Sequence, residues 1–178
     1  ILYLAEILNT KVRSRREVEE AISAPFLGDI PRYDGKSDRG IVVKEESRDG
    51  VSEAFRMLRT NLSFMAVSKS MNVIMLTSSV PHSGKTFVSI NLAVTLASTG
   101  KRVALVDLDL RRRTLSKQFG HRNDRRGVTS YLTDKIGSLN EIIVRDEIEG
   151  VDAIFAGPQP PNPAEILMSE RMKEFMQE

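Results

Sequence analysis

The chain has 178 residues, with 26 lysines and arginines against 24 acids, a formal net charge of +2, and no cysteine. That length suits one domain with a real core. The missing cysteine excludes a disulfide framework and thiol chemistry, and so small a charge excess does not by itself argue for nucleic acid or membrane.

Residues 1–8 are apolar but too short to span a bilayer, and Lys11, Arg13, Arg15 and Arg16 follow them. That order suits either the basic cytoplasmic flank of a membrane helix or a short amphipathic helix packed on the domain. No signal peptide is visible. Ser14 and Glu17 have capping-box spacing, which predicts a helix through about Ile22. Residues 25–31, bounded by Pro25 and Pro31, read as a short strand. Residues 32–50 are polar, carry Gly35, Gly40 and Gly50, and read as a connector that hugs the surface. Residues 52–66 predict an amphipathic helix with Phe55, Leu58, Leu62 and Met65 toward the core. Glu53, Arg56 and Arg59 fall off that stripe. From the charges alone they are solvated, with i,i+3 pairing worth about 0.2–0.5 kcal/mol.

The segment that decides the chain comes next. Val73, Ile74, Met75 and Leu76 form an apolar run of strand type, followed by Thr77-Ser78-Ser79-Val80-Pro81-His82-Ser83 and then Gly84-Lys85-Thr86. Strand, polar turn and Gly-Lys-Thr opening an apolar helix is the layout of a phosphate-binding P-loop, with Ser79 in place of the usual first glycine. The loop's N–H groups and the helix N-terminus offer donors to phosphate oxygens. In this pattern Lys85 reaches the β- and γ-phosphates and the Thr86 hydroxyl ligates magnesium. Phe87, Ile90, Leu92, Ala93 and Leu96 continue the helix, and Gly100 stops it.

Residues 102–106 are a second buried-strand run, and they end in Asp107-Leu108-Asp109-Leu110-Arg111. Two acids two residues apart at the C-terminal end of a parallel strand lie where α/β proteins bind ligands. Strand alternation points both the same way, and magnesium prefers carboxylates and water. Arg111, Arg112, Arg113, Lys117, Arg122, Arg125 and Arg126 then face one acid, Asp124. With only Phe119 interleaved, they do not make a single-strand stacking platform. Residues 151–156 read as a third strand. Asn162, Pro163 and Glu165 start a helix expected to run from Ile166 to Gln177. Strands alternating with helices predict an α/β fold with a doubly wound, mostly parallel sheet of P-loop NTPase type.

The stretch from Ser78 to Thr86 resembles the Walker A motif of the bacterial tyrosine kinases that serve capsular and exopolysaccharide export. Residues 105–111 resemble their second motif, Walker A′. Glu53, Arg56 and Arg59 match the family's Glu-x-x-Arg-x-x-Arg oligomerisation helix, and residues 157–165 are similar to a later loop and helix start. These motifs follow the family's order from about residue 27 onward.

The resemblance implies phosphoryl transfer from ATP, with Mg2+, to a tyrosine hydroxyl. It implies a nucleotide site at Ser79, Val80, Pro81, His82, Ser83, Gly84, Lys85, Thr86, Phe87 and Arg111, and a catalytic set of Lys85, Asp107 and Asp109. Thr86, Asp107 and Asp109 would hold magnesium, with Asp107 also orienting or deprotonating the incoming hydroxyl. Glu53, Arg56 and Arg59 would bridge neighbours in a homo-oligomeric ring. The implied setting is the cytoplasmic side of a bacterial inner membrane, anchored by an upstream transmembrane helix and working with polysaccharide-export machinery, without nucleic acid. Residues 1–24 read as a juxtamembrane segment and short helix, and residues 25–178 as a kinase domain ending before the family's Walker B strand and tyrosine-rich tail. One departure is His82, where the family commonly has glycine at a position suited to positive φ. Two rivals are a partition-type P-loop ATPase and a non-catalytic, nucleotide-gated scaffold. Val80, standing where such ATPases carry a signature lysine, counts against the first.

Overall fold

The computed structural model describes residues 12, 14–44, 46–66, 72–122 and 124–177. The apolar run at residues 1–8 and the basic residues Lys11 and Arg13 lie outside them. No helix among the described residues is long and apolar enough to cross a membrane.

Helix α1 (Arg15–Ala21) begins where the capping box predicts: the Ser14 hydroxyl accepts the Glu17 N–H at 3.3 Å. Arg15 and Arg16 pair with Glu19 and Glu20 one turn on. Residues 25–31 form no strand, contrary to expectation. Both prolines lack the ladder donor, and the Leu27 carbonyl is taken by the Asn61 side chain at 2.8 Å. Helix α2 (Gly50–Met65) is capped by Asp49, whose carboxylate accepts the Val51 and Ser52 amides. Phe55 and Leu62 are buried, but Met65, expected in the core, is half exposed in the last turn.

The connector before α2 is fixed from an unexpected direction. Asn91 of helix α3 (Lys85–Ala97) is fully buried. Its Oδ1 accepts the N–H groups of Val42 and Val43 at 2.8 and 3.1 Å, and its Nδ2 donates to the carbonyls of Gly40 and Phe87. All of its hydrogen-bonding capacity is used, so this polar side chain is accommodated in the core.

Strand β1 (Val103–Val106) is followed by α4 (Thr114–Gln118), α5 (Val128–Leu132) and a 3-10 turn at Leu139–Glu141. Strands β2 (Ile143–Ile148) and β3 (Val151–Ile154) and helices α6 (Pro163–Leu167) and α7 (Glu170–Phe175) complete the described chain. The sheet order is β1-β3-β2, with β3 parallel to β1 and antiparallel to β2. Alternation along β3 divides the core. Val151 and Ala153 pack with Ile90 and Ala93 of α3 and with Leu115 and Phe119; Ile154 packs with Val128, Tyr131 and Phe175 on the other face. Helices on both faces of the sheet make the α/β architecture that the alternating pattern predicts.

Two further expectations are corrected. Residues 73–76 form no strand: no described strand pairs with them, and Val73 and Met75 are 61% and 80% exposed. A strand without a neighbour has no acceptors for its ladder, so the run stays unpaired. The single C-terminal helix is two. Ser169 is extended (φ −71, ψ 158) and its side chain accepts the Met172 N–H, so it caps a new helix after Met168.

Candidate nucleotide site

Helix α3 starts at Lys85, and Gly84 before it is left-handed, at φ 95 and ψ 7. His82 is also left-handed, at φ 61. The position that favours glycine thus has the backbone its sequence pattern requires, borne by a side chain that tolerates it less well. These two reversals wrap residues 79–84 around the open end of the helix. There the amides of the first turn have no partner one turn back, and the first carbonyl taken up is that of Gly84, by Val88 at 2.9 Å. The Lys85 ammonium turns back over the loop and donates to the Ser78 hydroxyl at 2.8 Å, and that hydroxyl donates to the Val80 carbonyl. The Thr86 hydroxyl makes no hydrogen bond among the described residues.

The two acids lie just past the end of β1 and differ in environment. Asp107 is only 4% exposed. Its Oδ2 accepts the Ser116 N–H at 3.0 Å and the Ser116 hydroxyl at 2.7 Å, and its Oδ1 accepts the Asp109 N–H at 3.1 Å. Burial pushes its carboxyl above the ordinary range, opposed by the Ser116 bonds. Ser116 also accepts the Ala156 N–H, tying the acid to the segment that follows β3. Asp109 is half-buried, and its Oδ1 accepts the Arg112 N–H at 3.0 Å. The two acids therefore differ in setting: one anchors the turn from inside, the other stands at its surface. Sequence reasoning missed Ser116, which no motif marks.

Hard oxygen donors suit magnesium, and Thr86 and Asp109 each keep an oxygen without a protein donor. Among the described residues no three His, Cys, Asp or Glu side chains gather in a metal-holding group. An ion held here would complete its shell from water and phosphate oxygens, the usual habit of magnesium at nucleotide sites. The residues present fit that ion.

Of the arginines, Arg111 is exposed and makes no hydrogen bond or ion pair among the described residues. Arg112 instead reaches the loop, its Nη1 lying 3.1 Å from His82 Nε2. Arg113 turns away to the carbonyls of Arg122 and Gly157. The Glu53, Arg56 and Arg59 side chains make contacts within the chain, the i,i+3 pairing expected from the charges among them. Arg56 contacts Glu53 at 2.5 Å and the carbonyls of Lys44 and Ser47, and Arg59 donates to the Thr95 carbonyl at 3.1 Å.

Residues 74–175 match the family model described as CobQ/CobB/MinD/ParA nucleotide binding domain. The chain is 38% identical over 148 residues to a putative tyrosine-protein kinase in the cps region of Klebsiella pneumoniae, covering 83% of this chain and 20% of that protein. It is 38% identical over 143 residues to the tyrosine-protein kinase YwqD of Bacillus subtilis, covering 80% and 60%. The chain thus spans only part of these relatives. The solved kinase domain of Escherichia coli tyrosine kinase ETK superposes with a TM-score of 0.82 at 32% identity, over 94% of this chain and 69% of that one. The BceF tyrosine kinase domain gives 0.78 at 30% identity, over 93% and 71%. The chain belongs to the CobQ/CobB/MinD/ParA nucleotide-binding domain family and, within it, to the bacterial tyrosine-protein kinase domains.

Proposed function

We propose that this domain binds ATP with magnesium and transfers the γ-phosphoryl group to protein tyrosine, as part of the control of capsular or exopolysaccharide assembly. The observation that carries the reading is the Lys85 ammonium folded back over a loop with two left-handed residues, His82 and Gly84. Such a loop aims backbone donors and one cation at the same small volume, which suits a polyphosphate.

Phosphoryl transfer needs positioning and charge neutralisation more than covalent help. Lys85 exchanges Ser78 for phosphate oxygens, and the loop amides hold the β-phosphate. Thr86 and Asp109 would hold magnesium, which when bound neutralises phosphate charge. Asp107 has the raised basicity of a proton acceptor, but an acceptor must come within about 3 Å of the hydroxyl it serves. At 4% exposure it suits an orienting role, fixing Asp109 through that residue's amide.

The setting is proposed from the relatives: a ring built through Glu53, Arg56 and Arg59, held at the cytoplasmic face of the inner membrane beside export machinery. Titration of the natural-length protein with ADP and Mg2+ tests the nucleotide half. Binding that disappears in Lys85→Met supports it, and equal binding by both proteins contradicts it. ATP consumption with no phosphotyrosine would favour the ATPase rival.

A further inference from the structure

Resting on the nucleotide reading of the loop, we propose that Arg112 is an additional phosphate-contacting residue, held at the loop by His82. A guanidinium only donates, so the 3.1 Å contact makes His82 Nε2 the acceptor and puts the imidazole proton on Nδ1. Arg112 is fixed at a second point, where its backbone N–H donates to Asp109 Oδ1 at 3.0 Å. One residue therefore links the P-loop to the acid proposed to face magnesium.

The charge around Arg112 points to the ligand class. Arg15, Arg16, Arg32, Arg39, Arg145 and Arg171 each sit on a carboxylate. Arg112, like Arg111, Arg122, Arg125 and Arg126, has no ion-pair partner among the described residues. It alone of these is seated on the loop, its one side-chain contact being the His82 ring. A planar cation with most of its donors unused, held at a loop that already carries the Lys85 ammonium, is complementary to the phosphates of a nucleoside di- or triphosphate. His82 accepts a left-handed backbone that glycine would adopt more easily. The side chain that justifies this cost is the one that holds Arg112. The family motif marks Arg111, not Arg112, so the assignment comes from the contact alone.

The test is a double-mutant cycle on the natural-length protein, with Mg-ADP and Mg-ATP affinities measured for Arg112→Ala, His82→Gly, the double variant and Arg112→Lys. Arg126→Ala serves as a control for lost charge, and Lys85→Met as a control for loop binding. Arg112→Ala is expected to weaken binding by about tenfold or more, as for a hydrogen bond to a charged group. Arg112→Lys recovers part of this. Arg126→Ala stays within about twofold because Arg126 is exposed, makes no hydrogen bond or ion pair to the loop among the described residues, and its charge is screened. His82→Gly weakens binding only while Arg112 is present. Changes in loop flexibility act in both backgrounds, so the coupling isolates the pair. The inference is overturned if Arg112→Ala matches Arg126→Ala, or if His82→Gly has the same effect with and without Arg112. Lys85-dependent binding that ignores Arg112 overturns this inference alone. Binding that ignores Lys85 overturns the nucleotide reading with it. Thermal melts of each variant exclude loss of fold.

Discussion

Ser116 holds the Asp107 carboxylate twice, donating its backbone N–H at 3.0 Å and its hydroxyl at 2.7 Å to the same oxygen. The serine is fully buried and its hydroxyl also accepts the Ala156 N–H at 3.0 Å. A buried carboxylate is tolerable only when such donors replace water, so the acid end of the site depends on one small side chain.

Ser116→Ala removes a donor to a charged group and orphans a buried N–H. It should lower stability by on the order of 2–3 kcal/mol. Urea unfolding measures this; a loss within about 0.5 kcal/mol, the range of ordinary surface changes, would contradict it.

Asn91→Ala leaves the Val42 and Val43 amides without their acceptor. Two buried donors lost together should cost about 3 kcal/mol or more. Amide exchange should accelerate at Val42 and Val43 well before it does in β1. Unchanged protection there would show that the connector is held by something else.

Acid sensitivity should come in part from Asp49. The Ser47 hydroxyl first, then the Ser52 amide and hydroxyl and the Val51 amide, hold its carboxyl well below the ordinary 3.8. A lowered folded value means its stabilisation is complete above 3.8 and is lost as pH falls below that toward the folded value. Asp49→Asn keeps an N-cap acceptor without the charge, so its stability should fall less steeply over that acid range. Parallel pH curves would contradict the assignment.

The oligomerisation motif can be separated into two contributions. Glu53 is half exposed, and its ion pair with Arg56 lies at the surface, so Glu53→Ala should change stability by less than about 1 kcal/mol. If the helix builds a ring, the same variant lowers the mass seen by light scattering. Arg56→Ala lowers both mass and melting temperature, because its guanidinium also holds the Lys44 and Ser47 carbonyls. Full mass in Glu53→Ala would argue against Glu53 in the interface.

The placement of the loop and of the acid pair was legible where chemistry forces spacing. Gly84-Lys85-Thr86 before an apolar helix, and Asp107 with Asp109 after an apolar strand, stand where the motif logic puts them. The positive φ at residue 82 was also readable. Strand β2 was not, because Arg145-Asp146-Glu147 interrupts its apolar pattern. It lies at one edge of the described sheet, its pairing shifts between Val144 and Ile148, and Asp146 is left-handed. Asn91 and Ser116 were missed for a related reason: one polar residue in an apolar stretch gives no periodic signal, and its partners lie 49 and 9 residues away. The break at Ser169 could have been read, since a serine inside an expected helix is also an N-cap candidate. The unpaired run at residues 73–76 shows the converse: apolar strand composition does not supply the neighbour that a strand needs.

The most direct measurement is mass-spectrometric mapping of phosphotyrosine on the natural-length protein after incubation with Mg-ATP, with Lys85→Met alongside. The account predicts phosphotyrosine that is absent from the mutant. Protein that binds ATP through Lys85 and yields no phosphotyrosine would contradict the kinase reading and leave a nucleotide-gated ATPase or scaffold.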